Sequence, residues 1–309
     1  MKTILKWPGG KEKELPVIRQ YTPEYNGRFV EPFVGGGAVF FDTDNPSCCI
    51  NDKSSELINL YNCVKYHDNA FAHYLQLEFN EFSSLGQFVD EHSEDVLSLY
   101  HGDYGTEDFI EKYHAYFDNI AIDHPEIFKK ELRKNLNGKI RRSSKLEKEN
   151  GEIPDSDRLD NMEAALKSAH YMYVRYLQNH KETLSAGRQA AVFFFIREYC
   201  YSSMFRYNAK GEFNVPYGGI SYNRKDFQRK IDYLLSDEMM AKLEGADIHC
   251  EDFEVFLNNL DLTEDDFIFL DPPYDTDFST YAGNGFGREE QSRLCECLKH
   301  TDAKILLII

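Results

Sequence analysis

An α/β chain with a doubly wound sheet, split by a long insertion, is the fold class that the sequence predicts. Short apolar runs that each end at or just before an acid recur near both ends of the chain, in residues 29–31, 48–52, 246–252 and 267–271. A glycine triplet, Gly35-Gly36-Gly37, follows the first of them. Between about Lys65 and Leu243 the strand–helix rhythm stops, and Phe- and Tyr-rich segments alternate with polar ones. Strands alternating with helices imply a parallel sheet with helices on its faces. The expected division is one unit built from residues 1–65 and 244–309, with residues 66–243 inserted between them.

Bulk properties bound the function. A chain of 309 residues with 42% hydrophobic content can bury one large core or two ordinary ones. No apolar run reaches the ~18 residues that span a bilayer, and Met1-Lys2-Thr3-Ile4 lacks a secretory pattern, so a cytoplasmic protein without membrane association is expected. Seven cysteines, an odd number, without paired C-x-x-C sites read as buried reduced thiols. The histidines show no ligand spacing, and no metal is implied.

Net charge is −18, which taken alone argues against a nucleic-acid partner. The average hides nine Lys or Arg between Lys129 and Lys148 against Glu131 and Glu147. Between Arg188 and Lys230 eight more stand against three acids. A local positive face is what DNA affinity requires, so the acidic total does not exclude it.

In chain order, Leu5-Lys6-Trp7-Pro8-Gly9-Gly10-Lys11 reads as a strand-like start, a turn and a lysine. It is not a phosphate loop, since Glu12 follows Lys11 where Ser or Thr is required. Phe29-Val30-Glu31-Pro32-Phe33-Val34-Gly35-Gly36-Gly37 is an apolar strand running into glycines, with a helix expected next, so that backbone can approach a ligand. Phe40 stands where a dinucleotide fingerprint needs Gly or Ala. Asp52 ends a second strand, a position suited to a ribose hydroxyl or to a helix cap. Leu57, Leu60, Tyr61 and Val64 then mark an amphipathic helix.

Inside the insertion, residues 135–157 are charged and poor in apolar groups, and read as a mobile loop or a DNA-facing segment. Phe205-Arg206-Tyr207-Asn208-Ala209-Lys210-Gly211-Glu212-Phe213-Asn214-Val215-Pro216-Tyr217-Gly218 suggests a β-hairpin whose Arg, Asn and Lys suit base edges and phosphates. After it, residues 246–250 form a strand followed by Asp252 and Phe253. Phe267-Ile268-Phe269-Leu270 is a buried strand that Pro272 and Pro273 must end at Asp271. The Asp271 carboxylate and the Pro272 carbonyl can both accept from an exocyclic amine, and Tyr274 can stack on a base. A helix over residues 289–298 and a fully buried strand over 304–309 complete the chain.

Asp271-Pro272-Pro273-Tyr274 resembles the catalytic motif of amino-directed methyltransferases, most closely the Dam-like (D12 class, α group) DNA adenine N6-methyltransferases. The resemblance covers residues 1–65 and 187–309, and the middle looks enlarged. It implies a Rossmann-like methyltransferase sheet with an inserted, mostly helical recognition domain, acting with S-adenosylmethionine on N6 of an adenine flipped out of double-stranded DNA. By resemblance Trp7 and Lys11 line the methionine side of the cofactor. Pro32, Phe33, Gly35 and Gly37 form its loop, Asp52 takes the ribose, Asp252 and Phe253 hold its adenine, and Asp271 adjoins it.

The run from Arg206 to Gly218 resembles the family's recognition hairpin, which implies DNA contacts by Arg206, Tyr207, Asn208, Lys210, Asn214 and Pro216. Tyr281 and Asn284 fall in the loop beside the flipped base. Ser202 and Gly219 depart from the pattern of GATC readers, which leaves the recognition sequence open. A restriction endonuclease counterpart is compatible with the family. Where the chain stops, at Ile309, the family normally continues with a turn, a helix and a hairpin, so C-terminal strands are expected to be missing. An RNA- or protein-directed enzyme, or a DNA- or cofactor-binding protein without catalysis, are the competing readings. A cytosine C5 enzyme is excluded because no Pro is followed by Cys.

Overall fold

The computed structural model describes residues 1–273 and 286–308. In chain order the elements are α1 (Leu15–Tyr21), β1 (Phe29–Glu31), β2 (Cys48–Asn51), α2 (Ser55–Lys65), α3 (Asn69–Glu91), α4 (Ser93–His101), α5 (Thr106–Lys112) and α6 (His114–Ile120). They continue with α7 (Pro125–Asn150), α8 (Asp155–Asn179), α9 (Ala186–Tyr199), α10 (Phe227–Leu234), α11 (Asp237–Glu244), β3 (Ala246–His249), α12 (Phe253–Asn258), β4 (Phe267–Leu270), α13 (Arg288–Lys299) and β5 (Lys304–Leu307). The five strands form one sheet in the order β3-β2-β1-β4-β5, every pairing parallel. The predicted α/β class holds. No described helix is long and apolar enough to cross a membrane.

Strand alternation sorts the side chains onto two faces. Phe29, Ile50, Phe267 and Phe269 point into a large cluster shared with the inserted helices, whereas Val30, Cys49, Ile268 and Leu270 pack with Phe253, Phe256 and Leu257 on the opposite face. The centre of the insertion is α9, buried from Gly187 to Tyr199 apart from Arg188 and Gln189, which sit on its first turn. A helix with so little polar surface must be enclosed, and α2, α3 and α8 enclose it.

Four expectations change. Residues 135–150 are not a loop but the second half of α7, because Phe128, Leu132 and Leu136 recur every four residues and bury one stripe while most of the cations are exposed. Residues 5–7 form no strand: the Gly10 N–H closes a turn on the Trp7 carbonyl at 3.1 Å. No helix follows the glycines either; residues 38–42 are successive turns, with the Phe41 N–H on the Gly37 carbonyl at 2.8 Å. The final strand is only partly buried, since Ile305 and Leu307 are each 39% exposed on an edge strand with alternating burial.

Packing also assembles a group that spacing does not reveal. His170 of α8 lies 3.1 Å from Glu81 and 3.7 Å from Glu78 of α3. Burial pushes the imidazole down to about 4 and the Glu81 carboxyl up to about 8, so a neutral ring bridges two helices at neutral pH.

Phe194 is fully buried at the heart of α9. Phe194→Ala is expected to cost about 3–5 kcal/mol, read as a lower urea midpoint with unchanged slope.

Candidate active site

Parallel strands deliver their carboxyl ends to one edge of the sheet, where open α/β folds bind ligands. Here that edge gathers acids. Registers Phe29↔Phe267 and Phe29↔Cys48 bring the ends of β1, β4 and β2 side by side, carrying Glu31, Asp271 and Asp52. Glu31 is 3% exposed, and its carboxyl is pushed well up by burial, then by the charges of Asp271 and Asp52.

Asp271 is the acid that the chain has partly answered. Its Oδ2 takes an ion pair from Lys11 Nζ at 2.7 Å, and the same ammonium donates to the Gly9 carbonyl at 2.8 Å. Asp271 Oδ1 is buried and has no hydrogen-bond partner among the described residues. Burial raises the Asp271 carboxyl above its ordinary value, against the lowering effect of Lys11. Pro272 is half-buried and Pro273 exposed. Tyr274, Tyr281 and Asn284 lie outside the described residues.

The glycine loop stands next to this group. Gly35 and Gly37 have φ of +48° and +75°, a region that side chains rarely adopt. A Cβ on Gly35 would meet the Trp7 ring at 2.7 Å, and one on Gly37 the Tyr61 hydroxyl at 2.6 Å. Asp52 holds the loop through one carboxylate oxygen, which accepts from the Gly35 N–H at 3.0 Å, while the other accepts from the Ser54 N–H at 2.8 Å. The cap of α2 is Ser54, whose hydroxyl accepts from the Leu57 N–H, so the alternative reading of Asp52 as the cap does not hold. The segment 7–11 therefore connects loop and acid, with Trp7 on the glycines and Lys11 on Asp271.

On the other side of the edge Phe33, Phe253 and Phe286 meet with centroids 5.4–5.7 Å apart, an aromatic wall of a size to flank a planar ring. The Pro32 carbonyl accepts from Asn51 Nδ2 at 3.0 Å, and that amide also binds Glu251. Asp252 caps α12 through the Glu254 N–H and takes Arg293 at 2.5 Å and Lys53 at 3.7 Å. Despite its partial burial, these partners hold its carboxyl below the ordinary value.

The hairpin is present, reduced to isolated antiparallel bridges Tyr207↔Phe213 and Cys200↔Tyr217. Arg206 does not stand free. Its Nε donates to Asn214 Oδ1 at 2.8 Å and its Nη2 to the Asn214 carbonyl at 3.2 Å, which fixes the guanidinium across the hairpin. Asn208 closes the turn by accepting from the Lys210 and Glu212 N–H groups. Tyr207 turns inward toward Glu56, while Lys210 and Pro216 are exposed.

Three residues that matter escaped the sequence reading. Glu31 sits inside the quoted run, where a strand-end acid before Pro was its only signal. Asn51 ties the ends of β1 and β2 to the segment after β3. Arg197, 2% exposed, donates to the carbonyls of Lys6, Ser203 and Met204 and lies 3.9 Å over the Phe205 ring. It joins the Trp7 segment to the base of the hairpin, and a lone Arg between aromatic residues was its only trace in the sequence.

The chain matches the family of D12 class N6 adenine-specific DNA methyltransferases over residues 7–101 and 148–307. It is 25% identical over 317 residues to the type II methyltransferase M1.LlaDCHI of Lactococcus lactis subsp. cremoris, covering 100% of this chain and 80% of that protein. It is 25% identical over 312 residues to the type II methyltransferase M.CviBI of Paramecium bursaria Chlorella virus NC1A, covering 100% and 83%. With the DNA adenine methylase of Haemophilus influenzae it shares 25% identity over 304 residues, covering 96% and 73%.

Because burial raises the Glu31 carboxyl, the folded chain holds that proton more tightly than the unfolded one. This contribution to stability is complete below about pH 4.5 and is lost as pH rises toward the folded value. Glu31→Gln should remove that decline, so the stability difference between variant and wild type, measured by urea unfolding, should shift in the variant's favour as pH rises from 4.5.

Proposed function

The chain belongs to the family of D12 class N6 adenine-specific DNA methyltransferases, and from that premise we propose that Asp271 is the residue that engages the target amine, with S-adenosylmethionine as donor and duplex DNA as substrate. The observation that carries the reading is the divided state of one carboxylate: Oδ2 is held by Lys11, while Oδ1 is buried with no partner among the described residues. A buried acceptor without a donor is costly, and an amine N–H supplies what it lacks.

The residues also fit the donor. The glycine cradle would admit its amino-acid end close to backbone, beside Trp7 and Lys11. Asp52 retains lone pairs for ribose hydroxyls, and Phe33, Phe253 and Phe286 would flank its adenine. Asp252 supports that wall by capping α12, with its carboxylate already committed to Arg293. When bound, S-adenosylmethionine supplies an electrophilic methyl group on a sulfonium centre.

Asp271 Oδ1 and the Pro272 carbonyl would accept from the two N6 hydrogens of a flipped adenine. Both bonds strengthen as N6 gains positive charge, so they favour the transition state over the ground state. Lys11 orients the carboxylate and favours its ionised form against burial. Inserted residues 66–243 would supply recognition, with Arg206 preset by Asn214 for a guanine edge and Lys210 at the exposed tip for phosphate. The activity is that of a site-specific, adenine-specific DNA methyltransferase.

Asp271→Ala should abolish transfer of labelled methyl groups to duplex DNA while DNA affinity stays within a few fold of wild type. Transfer at the wild-type rate would remove Asp271 from the mechanism. Arg206→Ala is expected to lower discrimination at one base pair by about 1–3 kcal/mol, read from competition between cognate and singly substituted duplexes.

A further inference from the structure

The family match breaks off after residue 101 and resumes at residue 148, so α5, α6 and most of α7 lie outside it. That stretch carries the basic run, and the structure separates its cations into two groups. Lys129 is paired with Asp118, Arg133 with Glu107, Lys134 with Glu131 and Lys145 with Glu149. Lys130, Lys139, Arg141, Arg142 and Lys148 have no carboxylate partner among the described residues, and of these five Lys139 and Arg142 line a cleft between α7 and α8.

The far wall of that cleft belongs to the hairpin. Tyr217 and Gly219, at its close, line the same cleft as Asn135, Lys139, Arg142 and Ser168. A Cβ built on Gly219 would meet nothing within 4 Å, so the rim is open. The acids of α8 do not answer the two cations, because Glu163 is held by Lys167 at 2.6 Å and Asp160 by Arg224 at 3.2 Å. Lys139 Nζ reaches only the neutral Asn161 amide oxygen at 3.3 Å, and its burial together with the nearby Arg142 disfavours the ammonium. A bound anion would relieve that cost.

We propose that Lys139 and Arg142 form a phosphate-binding cleft on the inserted helix, which grips one backbone phosphate of the duplex next to the base pairs read by the hairpin. The inference rests on the DNA reading above and adds a contact that the family match does not contain. The charge balance of the whole chain favours a duplex phosphate as occupant: at a net charge of −18, long-range attraction to DNA is absent, so affinity has to come from cations placed at the interface. An Arg can grip phosphate oxygens in a bidentate manner, with the Lys as a point charge beside it.

The test compares wild type with a Lys139→Ala/Arg142→Ala double variant and a Lys130→Ala/Arg141→Ala comparator, which removes equal charge from α7 outside the cleft. Duplex affinity is measured between 50 and 200 mM salt. One lost phosphate contact should flatten the log–log slope by about 0.9, so that over this range the cleft variant loses roughly three- to fourfold less affinity than wild type. The comparator should keep the wild-type slope.

An unchanged slope in the cleft variant overturns the proposal, as does an equal flattening in the comparator, which would reduce the effect to bulk charge. Melting in inorganic phosphate is the second arm. Stabilisation of wild type that the cleft variant lacks, together with an unchanged DNA slope, would assign the cleft to a free anion and overturn the DNA contact. If wild type with an intact slope transferred methyl groups while only the cleft result failed, the function would stand alone. If wild type neither bound nor methylated duplex, both readings would fall.

Discussion

The ion pair between Lys11 and Asp271 is the contact on which the rest of the site depends. A parallel sheet concentrates strand ends, and this one places Glu31, Asp52 and Asp271 together where water is scarce. Three acids in low dielectric repel one another and resist ionisation. The chain offsets this with one buried ammonium from a loop that precedes the first strand, and with backbone N–H groups turned toward Asp52. The Asp271 carboxylate therefore keeps one oxygen fixed and one without a partner among the described residues. An ion pair of this kind positions more than it stabilises, since its Coulomb gain is spent against desolvation.

Around that contact the insertion is coupled to the sheet by direct packing. One continuous apolar cluster runs from Phe29 and Ile50 on the sheet to Phe194 and Phe195 on α9, leaving little room for relative motion between the unit that would bind the donor and the unit that would bind DNA. Arg197 adds a polar link across the same junction. The hairpin grows directly from the end of α9, with Gly218 N–H on the Tyr199 carbonyl and Tyr201 N–H on the Pro216 carbonyl. The hairpin is thus anchored to a buried helix, and Arg206 is held across it by Asn214. Pre-ordering of this kind reduces the entropy lost when a base edge is engaged.

Most of the sheet was legible from local pattern. Strands at residues 29–31, 48–51, 246–249 and 267–270 are short apolar runs with clear punctuation, and each appears where expected. The errors share a cause. Residues 135–150 look like a loop because their mean composition is charged, yet helix formation needs only one apolar residue per turn on the buried side. Residues 5–7 look like a strand but have no edge to pair with, and the Arg197 guanidinium takes the Lys6 carbonyl instead. Asp252 shows the limit of reading a residue's role by its position. Its place at the end of β3 was foreseen, but its engagement by Arg293, some forty residues later in the chain, was not.

What the sequence settled alone are the features that neighbours in the chain determine: where strands stop because Pro or Gly follows, which acids close them, and which glycines free the backbone. Those depend on dihedral limits and periodicity, which act over a few residues. The tertiary structure alone decided which charges meet. That Lys11 answers Asp271, that Arg197 bridges Trp7 and Phe205, and that Lys139 and Arg142 face the hairpin without an acid all require distant segments to be brought together. Electrostatic partners are fixed by distance and burial in space, and a linear order of residues specifies neither until the chain has closed on itself.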